Sequence, residues 1–90
     1  MGNDLYWKVT PKEPEEELNG VYYNTWYFLQ ELFGYEEKED IAGRVLNKSN
    51  IPRLKNMAAQ NPTNDTLCED VEELVAAIEK YNSITLVIRG

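Results

Sequence analysis

The side chains able to do chemistry in this sequence are carboxylates, one thiol and a cluster of tyrosines. Acidic residues come in runs: Glu15-Glu16-Glu17, Glu36-Glu37 with Glu39-Asp40, and Glu69-Asp70 with Glu72-Glu73. Paired carboxylates can act as acid and base on a glycosidic bond or hold a hard cation. These runs lack the alternating Asp/Asn spacing and central glycine of a calcium loop, and a chain of 90 residues has little room for the cleft that a catalytic pair needs. They read instead as solvated faces and as helix-start charges that complement the macrodipole.

Histidine is absent. That removes the commonest general base at neutral pH, the commonest metal ligand, and every Ser-His or Cys-His nucleophile pair. The five glycines are isolated from one another, so no phosphate-cradling loop is present. Cys68 falls in the first turn of a predicted helix, where the dipole favours a thiolate, but Glu69, Asp70 and Glu72 beside it oppose one. It reads as a small hydrophobe at the edge of a core. No catalytic residue, cofactor or metal is expected.

A second candidate feature is aromatic. Seven aromatics lie between Tyr22 and Tyr35. At helical spacing Tyr22, Trp26, Phe28 and Phe33 fall on a buried arc, whereas Tyr23 and Tyr27 fall opposite, beside Asn24, Gln30 and Glu31. Two tyrosines at i and i+4 on a polar face make a rigid amphipathic surface of the kind enriched at binding hot spots. Tyr23, Tyr27 and Glu31 are therefore the predicted partner-binding residues.

The elements that must position these residues follow from periodicity. Leu5, Trp7 and Val9 alternate with polar neighbours ahead of Pro11, which predicts a first strand with one buried face. Residues 12–17 read as a charged connection. Residues 18–33 carry apolar side chains at helical spacing, and Gly34 suits the left-handed position that ends a helix. Residues 41–46 read as a second strand. Ser49 or Asn50 is placed to cap a short helix with Pro52 in its first turn, ended by Asn61-Pro62. Thr66 and Glu69 match a capping box for a third helix with Leu67, Val71, Leu74, Ile78 and Tyr81 as its core stripe. Residues 84–88 are aliphatic on both faces, as in a strand with a neighbour on either side. The predicted fold is a single α/β (α+β) domain over residues 1–90. It has two layers, a three-stranded sheet with about three helices on one face, in the order β-α-β-α-α-β.

Composition narrows the function classes. Sixteen acidic residues against nine Lys and Arg give a net charge of -7, which disfavours nucleic acid and anionic membranes as partners. The charge is also segregated: residues 41–64 hold Arg44, Lys48, Arg53 and Lys55 and no acidic residue, so every carboxylate lies elsewhere. The lone cysteine permits no internal disulfide, the first residues have no signal-peptide pattern, and Tyr6 departs from the myristoylation motif. Together these predict a cytoplasmic protein. The leading expectation is a small acidic, non-catalytic interaction module or regulator with a basic protein partner. The alternatives are a nucleic-acid mimic of inhibitor or immunity type and, last, a carboxylate-dependent enzyme.

Overall fold

The computed structural model describes residues 4–9, 19–34, 41 and 43–89. They form four strands and three helices: β1 (Asp4–Val9), β2 (Asn19–Val21), α1 (Tyr23–Phe33), β3 (Val45–Asn47), α2 (Ile51–Gln60), α3 (Asp65–Tyr81) and β4 (Ser83–Arg89). The sheet is antiparallel throughout, in the order β2-β1-β4-β3. The α+β class and the three helices agree with the sequence reading. The three-stranded sheet and the β-α-β-α-α-β order do not, because β2 occupies residues assigned to the first helix.

The reason lies in the residues of that turn. Gly20 is a poor helix former and Val21 is β-branched, so neither resists extension. Pairing of Leu5 with Val21 and Trp7 with Asn19 gives β1 a hydrogen-bonded partner on its outer side. Val21 meets the core from a strand about as well as it would from a helix, which is why the periodicity ran on through it. The helix begins only at Tyr23 and ends where predicted, with Gly34 at φ 73° donating to the carbonyls of Gln30 and Glu31. The late start also leaves Tyr22, assigned to the buried arc, 52% exposed, and Gln30, assigned to the polar face, is only 6% exposed.

The second predicted strand is shorter than its apolar run. Ile41 is fully buried but lies in a helical turn, and Gly43 at φ 81° breaks the extended chain before β3 starts at Val45. The Gly43 N–H still donates to the Leu86 carbonyl at 2.8 Å, and Leu86 returns a bond to Arg44 at 2.9 Å, so the segment stays on the edge of β4. β4 sits between β1 and β3, as its two-sided aliphatic character predicts. The predicted connection at residues 12–17 and the acidic turn at 36–40 lie outside the described residues.

α2 follows a single 3-10 turn whose start is tied by Asn47. The Asn47 side chain accepts from the Ser49 N–H, and the Asn47 N–H donates to the Asn50 side chain, both at 2.9 Å. In α3 the predicted box of Thr66 and Glu69 is displaced. Asn64 is the cap, its side-chain oxygen accepting from the Leu67 N–H at 3.2 Å and from the Thr66 hydroxyl. Asn64→Ala is expected to lower stability by about 1 kcal/mol, the usual worth of such a cap, whereas Thr66→Ala should cost distinctly less. Urea titration of the two variants checks it; equal losses would return the cap to Thr66.

One core joins all the elements. Leu5, Trp7, Ile84 and Leu86 project from one face of the sheet and pack with Trp26 and Leu29 of α1, Leu54 of α2, and Leu67, Val71, Leu74 and Ile78 of α3. Tyr81, predicted to complete the α3 stripe, is instead 40% exposed at the helix end, where the Lys80 ammonium lies 5.1 Å from its ring centre. No helix among the described residues is long and apolar enough to cross a membrane.

Candidate functional site

A concavity among the described residues is set by α3 and the β1–β2 hairpin. Asn64 starts α3 so that Leu67, Val71, Leu74 and Ile78 face the core, which turns Glu69, Glu72 and Glu73 outward along one side. Against that side stand Asp4, Leu5 and Tyr6 of β1 and Gly20, Val21 and Tyr22 at the end of β2. Together they enclose an open cleft of about 640 Å³. Of its described lining residues five are carboxylates (Asp4, Glu69, Asp70, Glu72, Glu73), two are tyrosines, and none is a lysine or arginine.

Two side chains fix the walls to each other. The Trp7 indole Nε1–H donates to Glu73 Oε2 at 2.6 Å, tying β1 to α3. The Tyr22 backbone N–H donates to Asp70 Oδ2 at 2.9 Å, which places a carboxylate from α3 at the amino end of α1. Tyr22 is the cap position of α1, and its own side chain makes no capping bond. Asp70 therefore supplies from another helix the negative group that the first turn of α1 lacks. The Thr25 hydroxyl, fully buried, also favours the ionised Asp70, although it stands outside ordinary hydrogen-bond geometry.

Asp70 is 5% exposed, yet it lines a cleft open to water, so its burial is shallow. Loss of hydration pushes its carboxyl above the usual aspartate value of 3.8, and the negative charges of Glu73 and Glu69 push the same way. The Thr25 hydroxyl and the Tyr22 N–H oppose this only in part. The sequence reading placed Asp70 in a solvated acidic run, and the structure corrects that. The signal was present: Asp70 lies three residues after Leu67 and four before Leu74, on the stripe that α3 buries.

Of the residues singled out as a partner surface, Tyr27 and Glu31 stand apart from the cleft. Tyr27 is 48% exposed and Glu31 is exposed one turn later on α1. The side chain of Tyr23 lies outside the described residues. Glu31 borders a separate shallow depression with Arg53 and Met57 of α2. Asp4, Tyr6 and Tyr22 were missed. Tyr22 was hidden by the misplaced helix start, and nothing local in the sequence announces that the hairpin brings Asp4 and Tyr6 to α3.

Cys68 lines a second groove, of about 380 Å³, on the other side of α3. Ala58 of α2 and Val71, Val75 and Ala76 of α3 supply its apolar surface, and Lys55, Glu72 and Glu79 stand at its rims. The half-buried thiol lies 3.6 Å from the Asn61 carbonyl oxygen and 3.9 Å from that of Ala58, which fits the core-edge role expected of it. Among the described residues no three acidic or cysteine side chains converge closely enough to hold a metal ion. No family model, curated protein or solved structure matches the chain.

Proposed function

We infer that the chain is a non-catalytic protein-interaction module that docks a basic segment of a protein partner in the cleft between the β1–β2 hairpin and α3. The observation that carries this reading is the described lining: five carboxylates and two tyrosines, with no lysine or arginine among the described residues. A concave wall of one sign concentrates its field, so a lysine or arginine side chain entering it gains more than it would in an exposed pair. An exposed tyrosine at the cleft edge, Tyr22, would offer its ring to the same cation, worth about 0.5–1 kcal/mol.

Mimicry of nucleic acid is less well supported by this geometry. The outward carboxylates of α3 recur with the helical turn, about every 5.4 Å, whereas each DNA strand carries a phosphate about every 3.4 Å along its axis. The acidic surface is also concave, where a duplex is convex. Docking through Tyr27 and Glu31 on α1 is the competing location.

The test is calorimetric titration with the blocked peptide Lys-Lys-Gly-Gly-Gly-Lys-Lys at low salt. Asp4→Lys with Glu69→Lys should weaken binding at least tenfold, and Tyr27→Ala should leave it unchanged. Raising salt to about 0.15 M, where the screening length falls to about 8 Å, should also weaken it. Loss of binding in Tyr27→Ala but not in the charge-reversed protein would move the site to α1, and no binding at low salt would reject the cleft.

A further inference from the structure

The acidic cleft and the apolar groove are the two flanks of one helix. Glu72 borders both, standing on the crest of α3 between them, and Glu69, Ala76 and Glu79 extend that crest along the helix. On one flank the lining is charged and aromatic; on the other, Ala58, Val71, Val75 and Ala76 offer apolar surface beside the Cys68 sulfur. The groove carries Glu72 and Glu79 from α3 against Lys55 alone from α2, so its rim, like the cleft, is net acidic. An occupant of the groove must match an apolar floor inside a rim that meets the acidic cleft at Glu72.

We propose that the two depressions form a single docking surface straddling α3, and that it takes a protein segment with an apolar side chain flanked by lysine or arginine. This rests on the cleft reading above and extends it. The apolar side chain enters the groove over Ala58 and Ala76, while the flanking cations reach Glu72, Glu79 and the cleft carboxylates. An extended segment of seven residues spans about 23–25 Å, enough to cross a helix about 10–12 Å wide.

The experiment compares the blocked peptide Lys-Lys-Gly-Gly-Gly-Lys-Lys with Lys-Lys-Gly-Leu-Gly-Lys-Lys, which carries the same charge. Each is titrated into the full chain before and after Cys68 is alkylated with N-ethylmaleimide, with circular dichroism confirming that the fold persists. The leucine peptide should bind about tenfold more tightly, and alkylation, by filling the groove, should erase that preference while leaving the glycine peptide's affinity unchanged. Ala76→Glu, at an exposed helix position, should erase it in the same way and provides the answer should alkylation disturb the fold. Equal affinities of the two peptides would overturn the inference and leave the cleft reading standing. A leucine preference that survives both modifications would place the apolar contact outside the groove and overturn it as well. Failure of both peptides to bind would remove the cleft reading, and this inference with it.

Discussion

Leu74→Ala should cost about 2–5 kcal/mol of stability, the range for emptying a fully covered leucine site in a packed core. Leu74 is 1% exposed on the middle of α3, in one cluster with Leu5, Trp7, Ile84 and Leu86 of the sheet. The loss combines the hydrophobic transfer of the missing carbons with the cavity that neighbours on both layers cannot close. Domains of this size have about 5–15 kcal/mol in all, so the variant should unfold at distinctly lower urea with an unchanged denaturant slope. A drop below about 0.5 kcal/mol, the scale of an ordinary surface substitution, would mean that α3 turns a different face to the sheet.

Substitutions at Asp70 should separate its hydrogen bond from its charge. Asp70→Ala leaves the Tyr22 N–H without its acceptor at the start of α1, at a cost of about 1–3 kcal/mol. Exposure of Tyr22 to water favours the lower end of that range. Asp70→Asn keeps a carbonyl oxygen for the bond and removes a charge that is poorly hydrated and repelled by Glu69 and Glu73. It should match or exceed the parent protein in stability at neutral pH.

The pH dependence has a definite sign. The folded-state value of Asp70 is raised, so between the usual 3.8 and that raised value the folded chain binds more protons than the unfolded one. Stability contributed by this group is greatest below the window and is lost as pH rises through it. Urea denaturation at a series of pH values should show this component in the parent protein and its absence in Asp70→Asn. An asparagine variant as weak as the alanine one at neutral pH would show that the charge itself holds the amino end of α1.

Where the sequence was legible, one physical signal dominated locally. The stripe of Leu67, Val71, Leu74 and Ile78 defined α3, alternation about Leu5 and Trp7 defined β1, and Gly34 ended α1 as its missing Cβ allows. It misled where two structures satisfy one pattern. Val21 is apolar and meets the core whether the chain is helical or extended, so the choice was made by β1 through non-local pairing. The same limit hid the cleft. Its α3 carboxylates were visible as a run, but Asp4, Tyr6 and Tyr22 join them only through the hairpin and a bond between Tyr22 and Asp70, 48 residues apart in sequence. Spacing alone puts Asp70 on the buried stripe of α3, whereas its charge argues for water.

The position of β4 bears on how the molecule assembles. It is the last strand in the chain, yet it pairs with the first along six residues from Asp4 to Val9 and with β3 on its other side. Joining β1 to β4 closes a loop through nearly all of the intervening chain before their pairing is rewarded. The α3–β4 unit, joined through Asn82 alone at φ 75°, is by contrast local and can form early. The topology predicts that capture of β1 onto a preformed α3–β4 unit is the slow step of folding. The acidic cleft needs both the β1–β2 hairpin and α3, so it comes into being only when β1 docks on the α3–β4 unit.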